Sequence, residues 1–517
     1  MHTVHATVDP RFVVGPVRRE LFGGFVEHLG RHIYDGIFEP THQTADEQGF
    51  RTDVIDLVKE LGVSTIRYPG GNFVSGFRWE DSVGPVTERP RRLNLAWHAT
   101  ETNEIGLHEF SDWLEKVGSE LMMAVNLGTR GPLEALDLLE YSNIPSGTRL
   151  AEERIANGRA EPFNVRTWCL GNEMDGPWQL GHRSADDYGR LASQAAKGMR
   201  QLDPDLTLVV CGSSSAQIPT FGEWERVVLS HTYDDIDLIS CHAYYEELDG
   251  DLGSFLASAA DMDRFIETVV ATADHVGAVR RSKKRIDISF DEWNVWYIQR
   301  YHAMEQISGL DNWPVAPRLL EDTYSVADAV VVGSLLMTLL KHSDRVASAS
   351  LAQLVNVIAP IMTQPGGPAW RQTTFFPFSL TSRLAQGYAL RVAYESPTYF
   401  TERHGDVALV DITATHDAAA RRSTIFLVNR SQTDTVTCSV DVSAFGETTI
   451  AEAHTLSDAD VYAANTLEDP GRVTTQANSS AMISDGFLTV ELPPVSWTVL
   501  ALGISDSRRG ATPNSLN

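Results

Sequence analysis

At 517 residues the chain is long enough for about three ordinary domains, although a closed barrel alone takes ~250 residues or more. Its composition, 43% hydrophobic and 21% charged, is that of a soluble globular protein. Lys+Arg 42 against Asp+Glu 69 gives a net charge of −27 with no long run of either sign, which argues against a nucleic-acid partner because phosphate binding needs a concentrated basic face.

The predicted elements begin with His2–Val14, which alternates like a strand. From about Glu20 to Asn356, eight apolar strand-like runs alternate with amphipathic helical stretches. The runs are Glu20–Glu27, Ser64–Gly70, Leu121–Leu127, Val165–Asn172, Leu206–Gly212, Leu238–Tyr244, Ile286–Glu292 and Ser348–Leu354. Helical periodicity falls between them, as over Phe50–Leu61, Leu107–Val117 and Asp186–Gln201. Eight β/α units in succession predict an α/β chain built on a (β/α)8 TIM barrel rather than an open doubly wound sheet. The Tyr68-Pro-Gly-Gly-Asn72 turn lacks the GxGxxG spacing, so no dinucleotide cofactor is expected. The apolar stretch Ala329–Leu340 is too short to span a bilayer and reads as a buried helix, with no membrane partner.

Beyond about Leu384 the pattern changes to short alternating segments between Asp, Asn, Gly and Ser turns. Val407–Thr413, Ser423–Val428, Thr435–Val440, Phe487–Leu492 and Ser496–Leu502 predict a C-terminal antiparallel, jelly-roll-like β-sandwich. The expected organisation is residues 1–17 as a strand joining the sandwich, 18–383 as barrel, 384–504 as sandwich and 505–517 as a disordered tail. Cys169, Cys211, Cys241 and Cys438 have no CxxC spacing and are expected as buried free thiols. The first ten residues carry no basic region followed by an apolar stretch, which points to the cytoplasm.

Chemistry concentrates at the C-terminal ends of the predicted strands, the face where such barrels carry their active sites. Read in order, those ends offer Glu27, Arg67 and Asn72, Asn126, Asn172-Glu173, His242 and Tyr244, Glu292, then Gln353 and Asn356. A barrel interior needs Val, Ile and Leu for stability, and this polar set serves some other purpose. A lone strand-end glutamate is more often a capping or surface carboxylate. Two of them, Glu173 and Glu292, sit on strands four and seven, each near Trp and Asn, roughly opposite around the rim. That is the pair glycoside hydrolysis needs, a proton donor and a second carboxylate acting as nucleophile or base. His242 in isolation suits a metal ligand, but no HExxH or paired-Cys partner supports a metal. Trp97, Trp296 and Trp313 lie in rim loops, suited either to stacking on a sugar ring or to a subunit interface. The stretch from Tyr297 to Pro317 is long for a βα loop and suggests a lid or substrate-binding insertion.

The runs Gly171-Asn172-Glu173-Met174 and Phe290-Asp291-Glu292-Trp293-Asn294 resemble the retaining α-L-arabinofuranosidases of glycoside hydrolase family 51. The resemblance extends through Tyr68-Pro-Gly-Gly-Asn72-Phe73, the Trp97–Asn103 run, the Leu351–Pro360 run and the Gln372–Pro377 run. It implies Glu173 as acid/base and Glu292 as nucleophile, with a covalent glycosyl-enzyme and net retention. It also implies Glu27, Asn72, Asn172, Tyr244 and Gln353 around the sugar, Arg67 and His242 in support, and no cofactor. The substrate it implies is an oligosaccharide with terminal α-L-arabinofuranosyl groups, and the assembly a homo-oligomer, a hexamer. Other retaining barrel enzymes such as β-xylosidases and β-glucanases share the strand four and seven arrangement. A carbohydrate-binding protein without activity is expected to lack one of the two glutamates.

Overall fold

The computed structural model describes residues 2–505. The tail predicted to be disordered lies, beyond Ser505, outside the described residues. Eight parallel strands close into a barrel: Gly23–Phe25, Thr65–Tyr68, Glu120–Ala124, Thr167–Leu170, Thr207–Val210, Leu238–Tyr245, Asp287–Val295 and Val346–Ala352. Each predicted barrel run overlaps one of them. The first is the most shortened, because Arg19–Phe22 forms a 3₁₀ turn and only Gly23–Phe25 pairs. Glu27 therefore stands two residues past the last paired position.

Alternation along the strands sorts side chains between two cores. Met122, Ala124, Cys169, Val209, Leu238 and Ala347 form a small apolar plug inside the barrel. Their neighbours Met123, Trp168, Leu170, Leu208, Val210 and Ile239 point outward into the large core under the helices. The plug fills the barrel interior, so the polar groups at its C-terminal end rest on a dry floor. All four cysteines are buried and free.

The C-terminal region is a ten-stranded sheet, mostly antiparallel, in which the N-terminal strand His2–Pro16 is central. That strand runs antiparallel to Tyr388–Glu395 but parallel to Val436–Asp441, so the purely antiparallel expectation is corrected at this pair. The single predicted strand Val407–Thr413 is also two: Gly405–Ala408 joins a separate hairpin, and Val410–Asp417 joins the sheet. The break falls at Leu409, whose N–H turns to the Pro397 carbonyl at 2.7 Å.

Between barrel and sheet lies the helix Val326–Lys341, started by a capping box in which Ser325 N–H donates to Asp328 at 2.7 Å. Residues 326 to 340 are all buried. Among the described residues, no helix is long and apolar enough to cross a membrane. Gly333 admits Trp497 of the sheet against this helix: a Cβ there would lie 2.2 Å from the indole Cδ1. On the strand Ser496–Ile504, Trp497, Val499 and Ala501 face the barrel core, while Leu500 and Leu502 face the sheet's own core.

A buried charge cluster joins the two units. Asp411 on the sheet accepts from Lys341 at the helix end, from Arg430 at 3.2 Å and from the Tyr394 hydroxyl at 2.8 Å. Burial alone would raise the Asp411 carboxyl, but Lys341 and Arg430 outweigh it and hold it well below the usual carboxylate range. A carboxyl depressed in the folded state adds stability above its unfolded value of ~4 and loses that contribution as pH falls through the folded one. Asp411→Asn is predicted to lower stability by about 3 kcal/mol at neutral pH, as expected for breaking a buried ion pair. Thermal unfolding at pH 7 and in acid checks this, since the gap between variant and wild type narrows as the solution is acidified.

Candidate active site

Strand register builds the site. On strands six and seven Glu292 lies beside His242, and Asn294 beside Tyr244. Strand seven carries a bulge: the pairs Ser289–Ser240 and Glu292–His242 span three steps against two, as do Phe290–Ala349 and Trp293–Leu351 on the other edge. The extra residue turns two successive acids, Asp291 and Glu292, toward the same interior groups. Strand four ends in a different device. Gly171 and then Glu173 adopt left-handed backbone, at φ +94° and +42°. A non-glycine residue there costs roughly 1–2 kcal/mol, strain of the kind that gathers at functional sites.

Glu292 is held at both oxygens. Arg67 donates to Oε1 at 2.7 Å and the Tyr244 hydroxyl donates to Oε2 at 2.7 Å. Glu173 faces it, with Oε1 2.9 Å from His242 Nδ1 and Oε2 accepting from Trp178 Nε1 at 2.7 Å. Oxygens of the two glutamates and a ring nitrogen of His242 all lie within 4.8 Å of one another. Both glutamates are more than nine-tenths buried.

His242 is clasped on both sides, because Nε2 lies 2.9 Å from Asp291 Oδ1. Burial opposes a charged ring, but Glu292, Asp291 and Glu173 overcome it and push His242 up to about 10. Both ring nitrogens of His242 are thus taken up by carboxylates, Nδ1 by Glu173 and Nε2 by Asp291. Asp291 is also buried, yet Arg67 and His242 hold it below the usual carboxylate range. Burial, with the charge of Glu173, pushes Glu292 upward against the pull of His242 and Arg67.

Glu27 completes the wall. Its Oε1 accepts from Trp97 Nε1 at 2.9 Å and from the Phe73 N–H at 2.8 Å, and Gln353 Nε2 lies 3.3 Å from Oε2. The two glycines of the Tyr68–Asn72 turn pass against these acids. A Cβ on Gly70 would meet Glu27 Cγ at 2.4 Å, and one on Gly71 would approach Glu292 Oε1 at 3.2 Å. Burial pushes Glu27 up to about 7 in spite of the bonds from Trp97 and Phe73.

These groups line a cavity of about 710 Å³, ordinary for a small-ligand site. Of the residues singled out in the sequence, Glu27, Asn72, Trp97, Glu173, Tyr244, Glu292, Trp296 and Gln353 reach its wall. Arg67 and His242 stand behind the wall, each against a glutamate. Asn172 lies beside Arg67, its Oδ1 accepting at 2.8 Å, while its Nδ2 lies 3.5 Å from Oδ1 of cavity-lining Asn72. Trp97 is buried and presents its N–H edge to Glu27, whereas Trp313 stacks on His98 at 3.7 Å away from the cavity. The long loop after strand seven does contribute to the wall, through Tyr301, His302 and Gln306. Sequence reasoning gave no role to Asp291. Trp178 is half exposed, and its indole bonds Glu173 directly.

A closed parallel barrel with two facing glutamates buried at its C-terminal mouth defines a barrel glycoside hydrolase. Comparisons with known proteins narrow that class. Residues 57–252 match the alpha-L-arabinofuranosidase 1 domain, and residues 291–496 the alpha-L-arabinofuranosidase C-terminal domain. An intracellular exo-alpha-(1->5)-L-arabinofuranosidase of Streptomyces lividans is 58% identical, over 99% of this chain and 77% of that protein. An exo-alpha-(1->6)-L-arabinofuranosidase of Bifidobacterium longum is also 58% identical, over 95% of this chain and 96% of that protein. The solved family 51 alpha-L-arabinofuranosidase from Bifidobacterium longum superposes with a TM-score of 0.93 at 48% identity, covering 96% of this chain and 99% of its own. The chain belongs to the family 51 α-L-arabinofuranosidases.

Trp97→Phe keeps an aromatic ring but removes a donor to ionised Glu27, so Glu27 is predicted to titrate above its value of about 7. A ¹³C NMR titration of glutamate side chains, assigned with Glu27→Gln, reads the shift.

Proposed function

We propose that this chain is an exo-acting, retaining α-L-arabinofuranosidase that releases terminal α-L-arabinofuranosyl groups from arabinose-containing oligosaccharides. The observation that carries the mechanism is the short gap between the two glutamates, whose facing oxygens lie within 4.8 Å. Retaining enzymes hold their carboxyls ~5–5.5 Å apart, whereas inverting ones need ~6.5–9.5 Å to admit a water.

Glu292 is the nucleophile. Arg67 and Tyr244 occupy both its oxygens as donors and favour its ionised form. Glu173 is the acid/base, donating its proton to the leaving glycosidic oxygen as Glu292 attacks the anomeric carbon. With the sugar esterified to Glu292, ionised Glu173 takes a proton from water, which attacks the same carbon and restores the configuration. Glu27, Asn72 and Gln353 line the wall where sugar hydroxyls would sit, and Trp296 adds an aromatic face.

The relatives support the glycone but leave the linkage open, because two of equal identity are named for different linkages, (1→5) and (1→6). The name of the Streptomyces lividans relative supports an intracellular site of action, which we assign as the cytoplasm. Assembly as a homo-oligomer, a hexamer, is supported by the family resemblance and is read by light scattering.

Matched aryl glycosides test the assignment. Hydrolysis of the α-L-arabinofuranoside is expected to exceed that of the β-D-xylopyranoside and β-D-glucopyranoside. Glu292→Ala is expected to lower that rate by a factor of about 1000 or more while leaving the fold intact. Activity confined to a pyranoside would move the chain away from this substrate class. Glu173→Ala is expected to impair substrates with poor leaving groups far more than activated aryl glycosides, and equal losses would count against its role as proton donor.

A further inference from the structure

Asp291, the acid beside the nucleophile, touches neither the cavity nor any group that reacts. It is fully buried. Oδ1 lies 2.9 Å from His242 Nε2, and Oδ2 lies 3.8 Å from Arg67 Nε and accepts from the Cys169 thiol at 3.7 Å. The opposite nitrogen of His242 meets Glu173 Oε1 at 2.9 Å and lies 3.5 Å from Glu292 Oε2. One imidazole ring thus connects Asp291 to the proposed proton donor.

We propose that Asp291 is a positioning residue that keeps His242 protonated at both ring nitrogens, so that the proton of Glu173 remains available to the leaving group. The inference rests on Glu173 being the proton donor. With hydrogens on both nitrogens, Nδ1–H donates to Glu173 Oε1, and the acid's own proton stays on Oε2, the oxygen beside cavity-lining Trp178. A neutral ring would keep its hydrogen on Nε2 toward residue 291 and aim the Nδ1 lone pair at Glu173. The acid's proton would then lie between Oε1 and Nδ1, held away from the glycosidic oxygen.

The groups facing His242 make Asp291 the one suited to this task. Glu292, Glu173 and Asp175 also face the ring, with Arg67 beyond Asp291 and Tyr244 two residues along the strand. Glu292 shares its charge with Arg67 and loses it on forming the glycosyl ester. Glu173 changes charge in every half-reaction, and Asp175 is itself pushed up to about 6 by burial. Asp291, held below the usual carboxylate range, keeps its charge throughout the cycle.

The test compares wild type with Asp291→Asn on two substrates sharing the arabinofuranosyl group, an activated aryl glycoside and an arabino-oligosaccharide. The ratio of kcat/KM, aryl over oligosaccharide, is expected to rise about tenfold or more, within the range that general acid catalysis supplies. The alkaline limb of the oligosaccharide pH profile is expected to move to lower pH. A ratio measured in one preparation is independent of the fraction folded, so a purely structural role leaves it unchanged. An unchanged ratio, with both rates equally reduced, would overturn the proposal.

A second measurement needs no variant at position 291. ¹⁵N-histidine NMR of wild type, with the His242 signals assigned by their absence in His242→Gln, is expected to show both ring nitrogens protonated at neutral pH. A neutral ring with one N–H at pH 7 would overturn the proposal as well. Glu173→Ala separates the two ideas. If it fails to discriminate between the substrates, the proton-donor assignment has failed. If it discriminates and Asp291→Asn does not, only the role of Asp291 is lost.

Discussion

Two cations and three carboxylates share one buried site at the mouth of the barrel, and their mutual neutralisation governs the rest of the chemistry. Arg67 and His242 are enclosed with Asp291, Glu292 and Glu173, all nearly without exposure. An isolated charge in such a place is expensive, and a pair repays its desolvation only when geometry and hydrogen bonds are good. The bonds here meet that condition: 2.7 Å from Arg67 to Glu292, and 2.9 Å on each side of the His242 ring. Formal charges balance when Asp291 and Glu292 are ionised and Glu173 carries a proton. That is the starting state a retaining hydrolase requires.

The fold supplies this balance through separate local devices. A dry plug of Met122, Cys169 and Val209 closes the barrel beneath the charges and keeps water from screening them from below. The bulge in strand seven gives Arg67 and His242 two acids each, and the left-handed turn at Gly171–Glu173 returns the chain toward the opening. Rim loops add the parts that face a ligand: Trp97 on one hairpin, Trp178 after strand four, and Tyr301, His302 and Gln306 after strand seven. Rigid strands thus hold the charges, and loops hold the specificity.

Much of this was legible in the sequence. Apolar runs ending in polar residues located all eight barrel strands, and the two glutamates were visible because strands seldom end on carboxylates without cause. The alternating run His2–Val14 was rightly placed with the C-terminal sheet, although period-two alternation carries no sign of direction. Its parallel pairing with Val436–Asp441 was therefore invisible. Asp291 was passed over for a related reason. Simple alternation puts residues 291 and 292 on opposite faces, and only the bulge brings both inward. The bond from Arg67 to Asn172 Oδ1 joins residues 105 positions apart, a contact that no local pattern encodes. The strand break at Leu409 depends on the Pro397 carbonyl, again a tertiary bond.

The central claim is that the two facing glutamates have unequal roles, with Glu292 forming the bond to the sugar. A 2-deoxy-2-fluoro arabinofuranosyl donor with a good leaving group slows turnover of the covalent intermediate enough for mass spectrometry. The account predicts one added glycosyl mass per chain, located by peptide mapping on Glu292. A label on Glu173, or an inverted first-formed product without any adduct, would contradict it.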